Sequence, residues 1–381
     1  GKEIGIVKNF KVFIAANKFF SKNNFVAKDL VFKNTDFSLY KDDLIFFRDL
    51  LKTEPSDNKI VFKNSNIFLK DSYDETLLIN KIKKSEFYYD SYNLVNVFSS
   101  ENEIFNLPYK LVIKNDKFNK LVNSKFNSKK IRLNVENILY YDEKIKNGLL
   151  DILFINKTTS LNYEIKKNSL NFITENQKNI YDGVVEFKPF YLKANFNYEG
   201  LSTKNFFSDD SILIDLINSE ILNNKNLSAN INFNIKDITN VKELNNLNLK
   251  IYIEEGNIDF SDSYIMWKED LKIIFKESLL TLDDDGINLV GTVRFNFKDI
   301  DNFYSSFQIN KINRRDINQI ELDYIYNLNN KSLRFDNPRI NEKQNSNIDE
   351  FLDIFNSSSD RVFNKITFKN FIKNFFSVYS G

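Results

Sequence analysis

Stretches in which apolar and polar residues alternate run almost from end to end of this 381-residue chain, and this pattern limits the fold more than any other feature. From Ser228 to Lys236, Ala229, Ile231, Phe233 and Ile235 fall on one side, and Ser228, Asn230, Asn232, Asn234 and Lys236 on the other. Successive side chains of a strand point to opposite faces, so a period of two marks a half-buried strand. The same holds for Phe190, Leu192, Ala194, Phe196 and Tyr198; for Leu247, Leu249, Ile251 and Ile253; for Leu289, Gly291, Val293, Phe295 and Phe297; and for Ile320, Leu322, Tyr324 and Tyr326. The expected class is mainly β. Something apolar must cover the apolar face, and whether that is protein or a foreign ligand is the functional question.

Composition removes several classes of function. Lys and Arg number 53 against 52 Asp and Glu, so the basic excess with which a protein neutralises phosphate backbones is missing and nucleic acid is disfavoured as a partner. The chain has no Cys and no His. The usual ligands of zinc, the nucleophile paired with an imidazole base and the disulfide framework therefore go together, and no metal or other cofactor is expected. Only 8 of the 53 basic residues are Arg and Phe reaches 38; AT-rich codon usage accounts for part of this, but not for the phasing of Phe with period two. No apolar run approaches the ~20 residues of a membrane-spanning helix, and the first residues lack the order of a signal peptide. Strand-like sequence begins almost at once (Phe10, Val12, Ile14), which suggests that the natural N-terminus, with any anchor, lies upstream.

A short repeat appears near the start. Phe32-Lys33-Asn34-Thr35-Asp36-Phe37 recurs as Phe62-Lys63-Asn64-Ser65-Asn66-Ile67 and more weakly as Ile82-Lys83-Lys84-Ser85-Glu86-Phe87, with a cousin at Leu133 to Ile138. It is read as strand, polar turn, strand, so the architecture grows in hairpin-sized steps. With only 9 Gly and 4 Pro in the chain, turns fall to Asn, at Asn223-Asn224, Asn245-Asn246 and Asn329-Asn330, because Asn tolerates the left-handed region. Asp283-Asp284-Asp285-Gly286 lacks the spacing and distal Glu of a calcium loop and reads as a hairpin turn.

Helices are expected in four places. Ser208 with Asp209 and Asp210 starts one that runs to about Leu222. A shorter one follows Lys298, with Phe303 and Phe307 on one face. Asn341 to Asn347 reads as a loop, Ile348 to Phe355 as a short helix and Asn356 to Asp360 as a linker. The C-terminal stretch with Phe368, Phe371, Ile372, Phe375, Phe376 and Tyr379 opposite Lys365, Lys369 and Lys373 either plugs the end of the β structure or lies on a membrane surface.

The segment Val185 to Ile340 resembles the C-terminal region of bacterial AsmA-like proteins, relatives of the TamB group. The ordered features are Phe187-Lys188-Pro189-Phe190 with Gly200-Leu201, the Ser208 helix, the Ala229 to Ile235 strand, Leu244 to Gly256 running into Asn257-Ile258, and Leu289 to Phe297 followed by the Phe303 helix. The resemblance implies a periplasmic protein held in the inner membrane by an N-terminal helix, with an elongated, curved antiparallel sheet forming an apolar groove that moves phospholipid between the inner and outer membranes. It brings no catalytic residues. The segment organisation that follows is a repetitive groove segment over 1–184, an AsmA-like region over 185–340 and a C-terminal helical segment over 341–381.

The residues agree with a groove on one point: a continuous apolar face with few helices exposes more apolar surface than those helices can bury. About twenty strands at ~4.8 Å spacing make a trough on the order of 100 Å long. Phospholipid acyl chains are the expected partner, lined by Ile231, Phe233, Leu249, Ile251, Val293 and Phe295, the apolar positions of the cleanest strands. The competing expectation is a structural or adhesive β-sandwich whose two faces cover each other. Enzyme chemistry would rest on Glu254 and Glu255 or on Asp283 to Asp285, each of which also fits a solvated strand end or turn.

Overall fold

A computed structural model of the chain describes residues 4–14, 27–40, 58–71, 73–142, 146–154, 157–174, 179–187, 190–202, 227–283, 286–357 and 365–380. The expected helix from Ser208 to Leu222, Asn223-Asn224 and Asp284-Asp285 lie outside them. The protein is mainly β, with 67% of residues in strands and 13% in helices. It divides into two compact units, the described residues up to Thr174 forming the first and those from Asn179 onward the second. The sequence-based boundary at residue 184 falls inside a strand, Ile180–Phe187.

The first unit holds eleven strands: β1 (Gly5–Ile14), β2 (Ala27–Tyr40), β3 (Lys59–Lys70), β4 (Thr76–Asp90), β5 (Val95–Ile104), β6 (Leu107–Asp116), β7 (Leu121–Ser128), β8 (Leu133–Tyr141), β9 (Lys146–Phe154), β10 (Lys157–Ile165) and β11 (Ser169–Thr174). Each pairs antiparallel with the next, except that β2 and β3 run parallel. That parallel pair aligns the sequence repeat with itself: Val31 faces Val61, Phe32 faces Phe62 and Lys33 faces Lys63.

The repeat is therefore not strand, turn, strand, as its polar centre suggests. It is one continuous strand with a kink at its centre. Asn34 (φ 54°) and Asn64 (φ 49°) take the left-handed conformation where the ladder between β2 and β3 is interrupted, between Lys33–Lys63 and Asp36–Asn66, while the register stays the same on both sides. Asn accepts this conformation at low cost, so the two strands kink together and the ladder continues beyond. Past the kink the Thr35 amide donates to Ser65 Oγ (3.2 Å) and Asn66 Nδ2 donates to Asp36 Oδ1 (2.8 Å). In β4 the register against β5 shifts between Ile82 and Lys84, so the third copy carries a bulge. The cousin from Leu133 to Ile138 lies within β8.

The second unit repeats the opening of the first: β12 (Ile180–Phe187) forms a hairpin with β13 (Phe190–Leu201), which pairs parallel with β14 (Ser228–Ile238). β15 (Leu244–Glu254) pairs with both β16 (Asn257–Asp259) and β17 (Tyr264–Trp267), and these pair in turn with β18 (Leu271–Asp283). β19 (Gly286–Phe297), β20 (Gln319–Asn327), β21 (Leu333–Ile340) and the two-residue β22 (Lys343–Gln344) extend the ladder antiparallel. Asn245-Asn246 is not a turn but another bulge inside β15, with Asn246 at φ 46°. Asn329-Asn330 does make its turn: both amides donate to Asn327 Oδ1 (3.0 Å each).

Three helices close over β18 to β21. α1 (Ile300–Phe307) is capped by Asp299, whose carboxylate accepts from the amides of Asp301 and Asn302. α2 (Ser346–Ser357) and α3 (Lys365–Ser380) follow. Phe303, Phe307, Ile348, Leu352, Phe371, Phe375 and Phe376 from these helices meet Leu271, Val293, Ile320, Leu322 and Phe335 from the strands in one buried core. Burying each such side chain contributes roughly 1.5–3 kcal/mol. Asn356 belongs to α2 rather than to a linker. Its buried side chain donates to Phe335 O (2.8 Å) and accepts from Phe335 N (3.1 Å), taking the place of a neighbouring strand. α3 thus packs on the face of the sheet formed by β18 to β21.

Candidate functional site

The strand registers gather the apolar positions into rows across each unit. In the first unit one row runs Val12, Leu30, Ile60, Phe87, Phe98, Ile113, Ser124, Asn137, Leu150, Leu161, and the next runs Phe10, Phe32, Phe62, Ser85, Ser100, Leu111, Phe126, Val135, Ile152. Phe10, Phe32 and Phe62 stack in series at 4.8 and 5.0 Å. Among the described residues the first unit contains no helix, and most of this face is only half-buried. Phe10 is 53% and Val12 45% exposed.

The rows also carry polar positions. Tyr163 donates to Asn137 Oδ1 (2.6 Å) and Asn137 donates to Ser124 Oγ (3.1 Å). Opposite Tyr163 stands Gly148, where any Cβ would collide with the tyrosine ring; glycine is needed for that close approach. Burial holds the Tyr163 phenol above its ordinary pKa against the opposing Asn137 hydrogen bond.

In the second unit the corresponding rows are Tyr181, Phe196, Phe233, Leu249, then Gly183, Ala194, Ile231, Ile251, then Val185, Leu192, Ala229, Ile253. Ile231, Phe233, Leu249 and Ile251, four of the six residues singled out in the sequence, thus form one block on adjacent strands. They are half-buried. Val293 and Phe295 lie elsewhere, in the helix-covered core, where Val293 is 5% exposed and packs with Leu322, Phe303 and their neighbours. Phe196, which stacks on Phe233, and Tyr181, which lies against Phe196, are absent from the sequence-based set; the alternation of β13 already placed Phe196 on this face, and the missing information was which strand pairs with β14. Burial, with the neighbouring Tyr181, pushes the Tyr198 phenol well above its ordinary value, so this surface stays uncharged.

The opposite face is polar. Lys81–Glu103 (2.8 Å), Lys110–Glu101 (2.5 Å) and Lys125–Glu136 (2.9 Å) pair across neighbouring strands of the first unit. In the second, Asn232 donates to Asn195 (3.1 Å) and Asn234 to Asn197 (2.8 Å) in a side-chain ladder along the parallel pair.

The described residues weighed for enzyme chemistry lie at a strand end and a turn. Glu254 ends β15 on the surface, while Glu255 (φ 51°) and Gly256 (φ 84°) make the two-residue turn into β16. Among the described residues no three carboxylates gather where they could hold a metal ion, and no helix is long and apolar enough to cross a membrane. Comparison of the chain with family models, with curated proteins and with solved structures yields no match.

Proposed function

We propose that the half-buried apolar rows bind phospholipid acyl chains, and that the protein is a non-enzymatic, AsmA-like carrier of phospholipid between the inner and outer membranes of a bacterium, working in the periplasm. One observation carries this: Phe, Ile and Leu side chains continue from strand to strand on one face, and in the first unit and over β12 to β15 most of them are only half-buried, with Phe87, Leu161 and Ile253 buried among them. Such a surface holds acyl chains without directional contacts, each buried methylene contributing about 0.8 kcal/mol, while the polar opposite face stays in water. The structural or adhesive alternative is favoured only at β18 to β21, where protein covers the same kind of face.

The test is loading with a fluorescent phospholipid. The protein takes up the lipid in a saturable way, and Ile231→Asp with Ile251→Asp abolishes uptake while strand content by circular dichroism is retained, because a charge among acyl chains costs several kcal/mol. Unchanged uptake in the folded double variant would refute the proposal.

A further inference from the structure

The left-handed kink at Asn64 in β3 and the bulge between Ile82 and Lys84 in β4 lie at the same level of the sheet, because Ser65 pairs with Ile82 across the two strands. On the polar face this bend cups a concavity of about 630 Å³ that reaches to the ends of β6 and β7. Its charged lining is Lys81, Lys83, Lys110, Lys129, Glu101 and Glu103, beside Ile82, Asn102, Pro108 and Tyr109. Two of these lysines are committed, Lys81 to Glu103 (2.8 Å) and Lys110 to Glu101 (2.5 Å). Both carboxylates are thereby neutralised, and a paired Lys110, with help from Lys83, holds Glu101 below the ordinary carboxylate range. Lys83 and Lys129 have no ion-pair partner among the described residues. Four ammonium groups against two carboxylates leave a surplus of two positive charges in one concavity, of a size that fits a small polar molecule.

We infer that this concavity binds a phosphate monoester, held by Lys83 and Lys129 with the paired Lys81 and Lys110 beside them. A phosphate monoester carries close to the two negative charges that match the surplus, and lysine binds it as a point charge without needing a fixed fork of donors. A monocarboxylate leaves one cation unmatched, and a nucleic-acid backbone needs a stripe of charge that the chain lacks. The site is on the face opposite the apolar rows, so it stands or falls separately from the acyl-chain proposal.

Calorimetric titration of the full chain with glucose 6-phosphate and with inorganic phosphate, using glucose as the neutral control, tests it; flotation with phosphatidylcholine vesicles carrying phosphatidic acid asks whether the monoester belongs to a lipid. Saturable binding is expected for the phosphates and not for glucose. It weakens roughly tenfold or more in Lys83→Gln/Lys129→Gln, as loss of charge-assisted contacts requires, and is unchanged in Lys114→Gln, a lysine of the same face outside the concavity. Vesicle binding alone, with the same dependence on Lys83 and Lys129, assigns the monoester to a membrane lipid. Absence of saturable binding to all three probes, or binding that the double variant retains, overturns the inference.

Discussion

Phe196 and Phe233 stack across the parallel pair of the second unit with ring centroids 4.9 Å apart and planes 17° apart, and Phe32 and Phe62 do the same in the first at 5.0 Å and 18°. In-register parallel pairing sets equivalent positions side by side, so aromatic residues of two strands lie face to face on the apolar surface. Both units therefore begin their apolar rows in the same way: a hairpin, a parallel return and a stacked phenylalanine pair at the seam. From that seam the second unit runs through the half-open block at Ile231 and Ile251 and on, across β17 and β18, to the helix-covered core at Val293.

Those two environments predict opposite consequences for one kind of substitution. Val293→Asp places an unpaired charge in a closed core and removes several kcal/mol of stability, enough to unfold most domains. Ile251→Asp, with solvent within reach, leaves the fold in place and abolishes lipid uptake. Urea unfolding followed by circular dichroism separates the two.

Glu321 gives the second unit a definite acid response. It is 8% exposed and is approached by Lys276 at 2.9 Å, by Arg294 and by Arg339 at 3.8 Å. Burial pushes its carboxyl up, but the hydrogen bonds and charges of Lys276 and Arg294 outweigh that and hold it below the ordinary range. A folded-state pKa below the unfolded value means that the contribution is fully present above about pH 4.3 and is lost as pH falls through the folded value. Glu321→Gln is expected to cost about 3 kcal/mol at pH 7, and the gap to the wild type to narrow on acidification below pH ~4. Unfolding at pH 7 and at pH ~3 measures both.

The kink at Asn64 rests on its left-handed backbone (φ 49°). Asn64→Ala is expected to destabilise by about 1 kcal/mol, and Asn64→Gly to be close to neutral. Equal losses in the two variants would show that the side chain, rather than the backbone, matters there.

Phe371 joins α3 to the sheet, with its ring 5.2 Å from Phe335, 4.8 Å from Phe355 and 5.6 Å from Phe351. Phe371→Ala should cost about 3–5 kcal/mol, read from the denaturation midpoint. A helix resting only on a membrane surface would show almost no loss.

Strand content, the α1 helix after Lys298 and the α3 stripe were legible because each is a local pattern: a period of two, an apolar pair four residues apart, a period near four. Bulges were not. A polar Lys-Asn-Thr step looks alike whether the chain reverses or only kinks, and the difference lies in the neighbouring strand that keeps the ladder running past Asn34 and Asn64. Nor could alternation distinguish Ile251 from Val293. Both face the apolar side of their strands, and what covers each comes from residues more than 40 positions away in the case of Val293 and α2. The polar concavity was equally hidden, since Lys83 and Lys129 come to line one concavity only when the bulge of β4 and the residues after β7 are brought together.

Native mass spectrometry of the purified protein tests the central claim most directly. The acyl-chain proposal predicts adducts at phospholipid masses that are stripped by organic solvent, restored by added phospholipid and lost in the folded Ile231→Asp/Ile251→Asp variant. A protein that flies only at its bare mass, and that stays so after incubation with phospholipid, contradicts it.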